Sequence, residues 1–289
     1  MADHLTFLPE KSPSRNVVVQ ILFEIIYGII YFVLYIPGLL VRPGDITEGD
    51  KRAVVLVSGF FGSPLTWLKC RAALAAQGHP VYVVRLGFQF GNLRSYSEKL
   101  QRFLEENNLS DVYLVCHSMG GLVAAHMGYR GRDRTRKIFT LGTPFRGHPL
   151  TFLFPVTFAT LQMNPLSPFM RETKDKYRTL SSIQAVFARF DEILFLKKLN
   201  IPGRFDDVKL AQIGHANLFM GPAGIECITE LIAAEEAKDP KPVPVKDANG
   251  KVLQATAKVA QKSPARAAVT KPKKPKKAAK PKPAKKRRK

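Results

Sequence analysis

Ser118 stands in Cys116-His117-Ser118-Met119-Gly120, preceded by the strand-like run Val112-Tyr113-Leu114-Val115 and followed by Gly121, Leu122, Ala124 and Ala125. Strand, sharp turn and helix in that order present a serine hydroxyl at the end of a sheet strand, the pattern G-x-S-x-G. Cys116 takes the place of the first glycine, where helix and strand cross closely and only a small residue fits. A serine hydroxyl attacks a carbonyl only when a histidine takes its proton and a carboxylate orients that histidine. Two downstream runs end on such groups. Ser181 to Phe190 reads as a strand ending at Asp191-Glu192, and Val208 to Ile213 as a strand ending at Gly214-His215. Both carboxylates are candidates for the acid, and the chemistry these groups could perform is acyl transfer through a serine nucleophile.

The other histidines read as structural. His4 lies in a polar stretch, His79 in a Gly-His-Pro turn, His126 in the helix after Ser118 and His148 at the start of an apolar insertion. His117, beside the serine, is expected to point away from it. Asp206 and Asp207 begin a strand, the wrong end for a site at strand termini. The six histidines show neither H-x-x-H nor H-E-x-x-H spacing, and the three cysteines (Cys70, Cys116, Cys227) form no disulfide framework or zinc pattern. No metal and no other cofactor is expected, and the cysteine usage points to a reducing compartment.

The elements that must position these groups alternate in type. Ala53 to Val57 is an apolar strand running into Ser58-Gly59-Phe60-Phe61-Gly62-Ser63-Pro64, and Trp67 to Gln77 is helix-forming. The glycines let backbone N–H groups approach an oxyanion to about 3 Å. Val81 to Leu86 is the next strand, Tyr96 to Asn107 the next helix, and Lys137 to Leu141 a strand closed by Gly142-Thr143-Pro144. Such alternation implies an α/β fold with a doubly wound, mostly parallel sheet. Sites in these sheets lie beyond the carboxyl ends of the strands, where Ser58, Ser118, Asp191 and His215 all fall.

Four motifs carry a resemblance: Val-Leu-Val-Ser-Gly-Phe-Phe-Gly-Ser (55 to 63), His-Ser-Met-Gly-Gly (117 to 121), Leu-Gly-Thr-Pro (141 to 144) and Gly-His-Ala-Asn-Leu (214 to 218). Over roughly residues 52 to 235 the chain resembles the bacterial lipase and esterase branch of the α/β-hydrolase superfamily, in which serine, acid and histidine follow in that order. The resemblance implies Ser118 as nucleophile, Asp191 as acid, His215 as base, and the backbone N–H groups of Phe60 and Met119 as the oxyanion hole. Where the family usually has a histidine before the oxyanion-loop glycine, this chain has Ser58.

Three further segments complete the organisation. Residues 17–41 are nearly all apolar, long enough as a helix to cross about 30 Å of hydrocarbon, and carry no signal-peptide cleavage pattern. Residues 1–45 are therefore expected to form a single-pass membrane anchor, with the alternative of an amphipathic helix docked on the hydrolase. Gln20, Glu24, Tyr27, Tyr31 and Tyr35 recur at helical spacing, and that stripe should face protein, water or headgroups rather than lipid. Within the main domain, residues 50–236, the apolar stretch 148–180 reads as a helical cap that walls an acyl pocket. Residues 237–289 are rich in Lys, Pro and Ala, lack aromatics, and carry about +17 of the net charge of +22. Such a tail should be disordered and attract anionic lipid or, without sequence preference, nucleic acid. The expected function is a membrane-associated serine ester hydrolase acting on an acyl ester or lipid, with the catalytic domain on the cytoplasmic side. An acyltransferase or thioesterase would use the same acyl-enzyme. A non-catalytic membrane-tethered scaffold, binding through its tail, would not need the full set of Ser118, Asp191 and His215.

Overall fold

Val54–Val57 is buried on both faces, as the continuous apolar runs of parallel sheets require. In a computed structural model that describes residues 6–8, 16–194 and 207–240, this strand lies inside a fully parallel sheet. In chain order the elements are β1 (Thr6–Leu8), α1 (Val17–Val33), α2 (Tyr35–Leu40), β2 (Val54–Val57), α3 (Leu68–Ala76), β3 (Val81–Val84), α4 (Leu93–Glu106), β4 (Val112–His117) and α5 (Met119–Ala125). There follow α6 (Tyr129–Asp133), β5 (Thr135–Leu141), α7 (Phe158–Gln162), α8 (Pro168–Thr179), β6 (Ile183–Phe190), β7 (Val208–Ile213), α9 (Asn217–Met220) and α10 (Pro222–Lys238). Six parallel strands in the order β7-β6-β5-β4-β2-β3 form the sheet, and the short β1 extends it beside β7. This is the expected doubly wound α/β architecture.

Alternation along each strand divides the core into two layers. Val55, Val57 and Leu114 face Leu100 and Leu104 of α4 and Leu122 of α5. Val54, Leu56 and Val115 face Trp67, Leu74 of α3, Leu218 of α9 and Ile228 and Ile232 of α10. Each such large side chain, once buried, contributes about 1.5–3 kcal/mol. At the amino edge of the sheet, buried Arg52 donates to Asp111 at 2.6 Å and Glu236 at 3.0 Å, and Tyr113 donates to Glu236 at 2.8 Å. These bonds tie the end of α10 to the strands.

Register aligns the carboxyl ends. Val57 lies opposite Cys116, His117 opposite Leu141, and Leu141 opposite Val186. Chain segments leaving β2, β4, β5, β6 and β7 therefore emerge along one edge, bringing Ser58, Ser118, Gly142, Asp191 and Gly214 together.

The expected single-pass helix is corrected. No helix among the described residues is long and apolar enough to cross a membrane. At 17 residues, α1 is about 26 Å long, short of the roughly 30 Å hydrocarbon core. It ends at Val33 because Pro37, four residues on, would drive its ring into the Val33 carbonyl. The chain restarts as α2, where Gly38 is needed: a Cβ there would run into the Ser63 hydroxyl and lie 2.6 Å from the Ser63 Cβ. The stripe of Gln20, Glu24, Tyr27, Tyr31 and Tyr35 lies against the main domain, with Gln20, Tyr27 and Tyr35 buried. The opposite face leaves Ile25, Ile29, Val33 and Ile36 exposed.

The insertion expected at 148–180 is helical, comprising a turn at Pro149–Phe152 and then α7 and α8. Ala159, Met163, Phe169, Met170 and Tyr177 are buried, whereas Phe152, Leu153, Phe154, Val156 and Leu166 are exposed. Asp207 accepts hydrogen bonds from Tyr177 and from the Ala185 N–H, a structural role at the start of β7. Asp206 and the basic tail from residue 241 onward lie outside the described residues.

Candidate active site

Ser118 holds φ 52° and ψ −122°, a left-handed conformation costly for a residue with a Cβ. It persists because the surroundings fix both sides of the turn. The Ser118 N–H donates to the Leu141 carbonyl at 2.8 Å, and the Ser118 carbonyl accepts from Gly121 N–H at 3.1 Å and from the Thr143 hydroxyl at 2.8 Å. Two glycines make the packing possible: a Cβ on Gly120 would lie 2.6 Å from the Val57 carbonyl, and one on Gly59 2.8 Å from Ser118 Cβ. Cys116, at the position where the pattern has glycine, is fully buried beside Met119 and Leu122.

Asp191 follows directly on β6, and its carboxylate is held in place. Its Oδ1 accepts from the N–H groups of Ile193 at 3.0 Å and Leu194 at 2.9 Å, leaving Oδ2 for His215 Nδ1 at 2.7 Å. Glu192 engages differently: its oxygens accept from the His215 backbone N–H at 3.2 and 3.3 Å. Of the two carboxylates open at the sequence level, Asp191 holds the ring and Glu192 the backbone. Burial opposes charge on the His215 ring, but the charge and hydrogen bond of Asp191 outweigh it, with Glu192 and Glu24 adding, and the pKa lies above the ordinary histidine value. Gly142, at φ +60°, gives this pair room, since a Cβ there would sit 3.0 Å from His215 Nδ1 and 3.1 Å from Asp191 Oδ2.

Ser118 and His215 line one cavity of about 320 Å³. Its walls come from α1 (Glu24, Gly28, Tyr31, Phe32), the loop after β2 (Phe60, Phe61) and the insertion (His148, Leu150, Phe154, Met163). Apolar side chains dominate, as in most small-molecule sites. Of the two residues expected to supply oxyanion donors, Phe60 lines the cavity and Met119 is the first residue of α5, immediately after Ser118. Among the described residues no cluster of three or more His, Cys, Asp or Glu is arranged to hold a metal.

Several contributors were not assigned from the sequence. Ser58, at the family's histidine position, accepts from Trp67 Nε1 at 2.9 Å. Gln89 pairs with Gly62 through both ends of its amide, at 3.1 and 2.9 Å, and fixes the same loop. Tyr31 donates to the Phe60 carbonyl at 2.6 Å, and Glu24 accepts from Ala216 and Asn217 N–H, both at 2.7 Å. The helical stripe was the only local signal for these last two. The His117 ring stacks on Phe219 at 4.0 Å and lies 4.6 Å from the His215 ring. Burial, reinforced by the charge of His215, lowers its pKa well below the usual value, so it is a neutral packing partner. His148 also lines the cavity, with burial first among the causes that lower its pKa.

Comparison with known proteins agrees with this fold. Residues 54–262 match the model of the alpha/beta hydrolase family. Among solved structures, the mature form of the lipase BlEst2 from Bacillus licheniformis superposes with TM-score 0.51 at 15% identity, covering 66% of this chain and 96% of that one. The alpha/beta hydrolase MGS-MChE2, from a sediment metagenome of the Mar Chica lagoon, Morocco, gives TM-score 0.50 at 14% identity, covering 66% and 93%. These likenesses speak to the fold alone. No curated protein sequence matches the chain. The match over residues 54–262, on a parallel sheet with a strained serine turn, assigns the chain to the alpha/beta hydrolase family.

Proposed function

We propose that this chain is a serine ester hydrolase that takes an acyl ester from a lipid surface. The observation that carries the reading is the Asp191–His215 bond of 2.7 Å, whose ring opens on the same apolar cavity as Ser118 at its strained turn. In this mechanism the Ser118 hydroxyl attacks the ester carbonyl while His215 Nε2 takes its proton. Asp191 keeps the Nδ1 proton in place and stabilises the imidazolium. Negative charge on the tetrahedral intermediate is met by the Phe60 and Met119 N–H groups. Collapse expels the alcohol, which receives the proton from His215, and leaves an acyl-Ser118 ester. Water then attacks, giving its proton to His215, which returns it to the Ser118 oxygen as the acid is released.

The lipid part of the reading rests on the apolar side chains exposed by the elements that wall the cavity. Phe32 and Phe154 line the cavity and are 63% and 61% exposed at its mouth. Both belong to elements, α1 and the insertion, that expose further apolar side chains. A helix with polar residues turned inward and Ile25, Ile29, Val33 and Ile36 outward suits a position in the plane of a membrane surface rather than across it. We assign the chain to the cytoplasmic leaflet, where the +17 carried by residues 237–289 would meet anionic headgroups.

The test is turnover of a nitrophenyl acyl-ester series by the wild type, Ser118→Ala and His215→Ala. Each variant should lose several orders of magnitude in kcat with the fold intact. Wild-type turnover in Ser118→Ala would remove the reading.

A further inference from the structure

The loop that carries His215 is held by side chains, and most of them come from α1. Ile213 N–H donates to Gln20 Oε1 at 2.9 Å, and the N–H groups of Ala216 and Asn217 donate to Oε1 and Oε2 of Glu24, each at 2.7 Å. Asn217 Nδ2 donates to the Gln20 carbonyl at 3.0 Å. The other two N–H groups of the loop turn to the end of β6, Gly214 to the Phe190 carbonyl at 2.9 Å and His215 to Glu192 at 3.2 Å. Gly214 is at φ +112°, and a Cβ there would lie within 2.5 Å of the Glu24 carboxyl carbon, so the loop closes around this side chain. Two turns further along the same face, Tyr31 donates to the Phe60 carbonyl at 2.6 Å, in the loop expected to supply the oxyanion donor. A single helix, which precedes the region matched by the family model, thus grips the backbone on both sides of Ser118.

We propose that α1 is part of the catalytic apparatus, with Glu24 as the positioning residue of the His215 loop and Tyr31 as the positioning residue of the Phe60 loop. The proposal rests on the reading of Ser118, Asp191 and His215 given above. Neither residue reacts. Glu24 fixes where the imidazole stands relative to Ser118, and Tyr31 fixes where the Phe60 peptide stands relative to the developing oxyanion. Because the opposite face of α1 is the apolar one, contact with lipid and the geometry of the reacting groups are carried by the same helix.

Charge supports the assignment. Burial, then the hydrogen bond and charge of Glu192, push Glu24 up to about 8 against the pull of the Ala216 and Asn217 N–H groups. Below that pH Glu24 holds its proton. Above it, a second full negative charge enters a space already bounded by Asp191 and Glu192 after β6, His215 after β7, His117 at the end of β4 and His148 of the insertion. The loop geometry set by the protonated Glu24 is then lost.

The test is steady-state kinetics of the full-length chain on a short soluble ester across a pH series, with Glu24→Gln and Tyr31→Phe. Glutamine keeps the shape of Glu24 but turns one acceptor into a donor facing a backbone N–H. Its kcat should fall by roughly 10- to 100-fold, the scale of a small misplacement of reacting groups, with KM near the wild-type value. The wild type should lose kcat/KM above about pH 8, and Glu24→Gln should lack that descending limb. Tyr31→Phe removes one oxygen and no packing, and should lower kcat by about tenfold without moving the pH limbs. Wild-type kcat in both variants, or an unchanged alkaline limb in Glu24→Gln, would overturn the proposal. If Glu24→Gln does not fold, the Tyr31→Phe kcat decides alone. A Ser118→Ala chain that still turns over ester would instead sink the underlying site reading, so the two failures are distinguishable.

Discussion

Replacing Ile25, Ile29, Val33 and Ile36 together with glutamine should abolish attachment to uncharged lipid while leaving hydrolysis of a soluble ester at the wild-type level. These side chains are 55%, 59%, 64% and 60% exposed, form the outer face of α1 and the start of α2, and do not line the cavity. A fully transferred side chain of this size is worth about 1.5–3 kcal/mol. With somewhat more than half of each available, four of them supply about 3–6 kcal/mol on entering the headgroup boundary, at least about 100-fold in partitioning. Glutamine is a good helix former, so the substitution removes the apolar face without breaking the helix. The assay is flotation of the full-length chain with phosphatidylcholine vesicles at about 1 M salt, where the Debye length of roughly 3 Å silences the basic tail. Wild type should float and the variant remain in the dense fraction. Equal flotation of both, or no flotation of the wild type, would refute the argument that this face meets lipid.

Asp191→Asn should cost several orders of magnitude in kcat by losing the tautomer and charge that orient His215. Glu192→Gln, whose parent holds only a backbone N–H, should cost far less, and stopped-rate comparison of the two would expose a reversed assignment. Catalysis needs the neutral ring as base. Because Asp191 and its neighbours raise the His215 pKa, kcat/KM should rise with pH through a value above the ordinary histidine pKa, and Asp191→Asn should move that limb to lower pH. Gly142→Ala places a methyl 3.0 Å from His215 Nδ1 at φ +60°. It should lose about 1–2 kcal/mol of stability in denaturant titration, together with most of its activity.

Local signals sufficed for much of the site. Strand, turn and helix around Ser118 and the ends of β6 and β7 could be read from residue order, and Val208–Ile213 has the expected bounds. Boundaries moved where caps decide them: α4 begins at Leu93 rather than Tyr96 because the Asn92 side chain accepts from the Arg94 N–H. The first segment shows why composition misled. Twenty-five nearly continuous apolar residues satisfy a span, yet Pro37 stops α1 at Val33, and the polar stripe finds its partners at residues 213–217, almost the length of the domain away. Nothing near Glu24 in sequence encodes the N–H groups it binds. The same holds for Tyr31 and Phe60, and for Gln89 and Gly62. The packing of the His117 ring on Phe219 likewise involves a neighbour that only the fold provides.

Ser118 as an activated nucleophile is the centre of this account, and the most direct measurement is covalent labelling of the full-length chain by a fluorophosphonate followed by peptide mapping. Phosphonylation should fall on Ser118, be abolished in Ser118→Ala, and slow by orders of magnitude in His215→Ala, because the serine hydroxyl is weak without its base. Rapid labelling that survives Ser118→Ala, or a wild type that resists the reagent while folded, would contradict it.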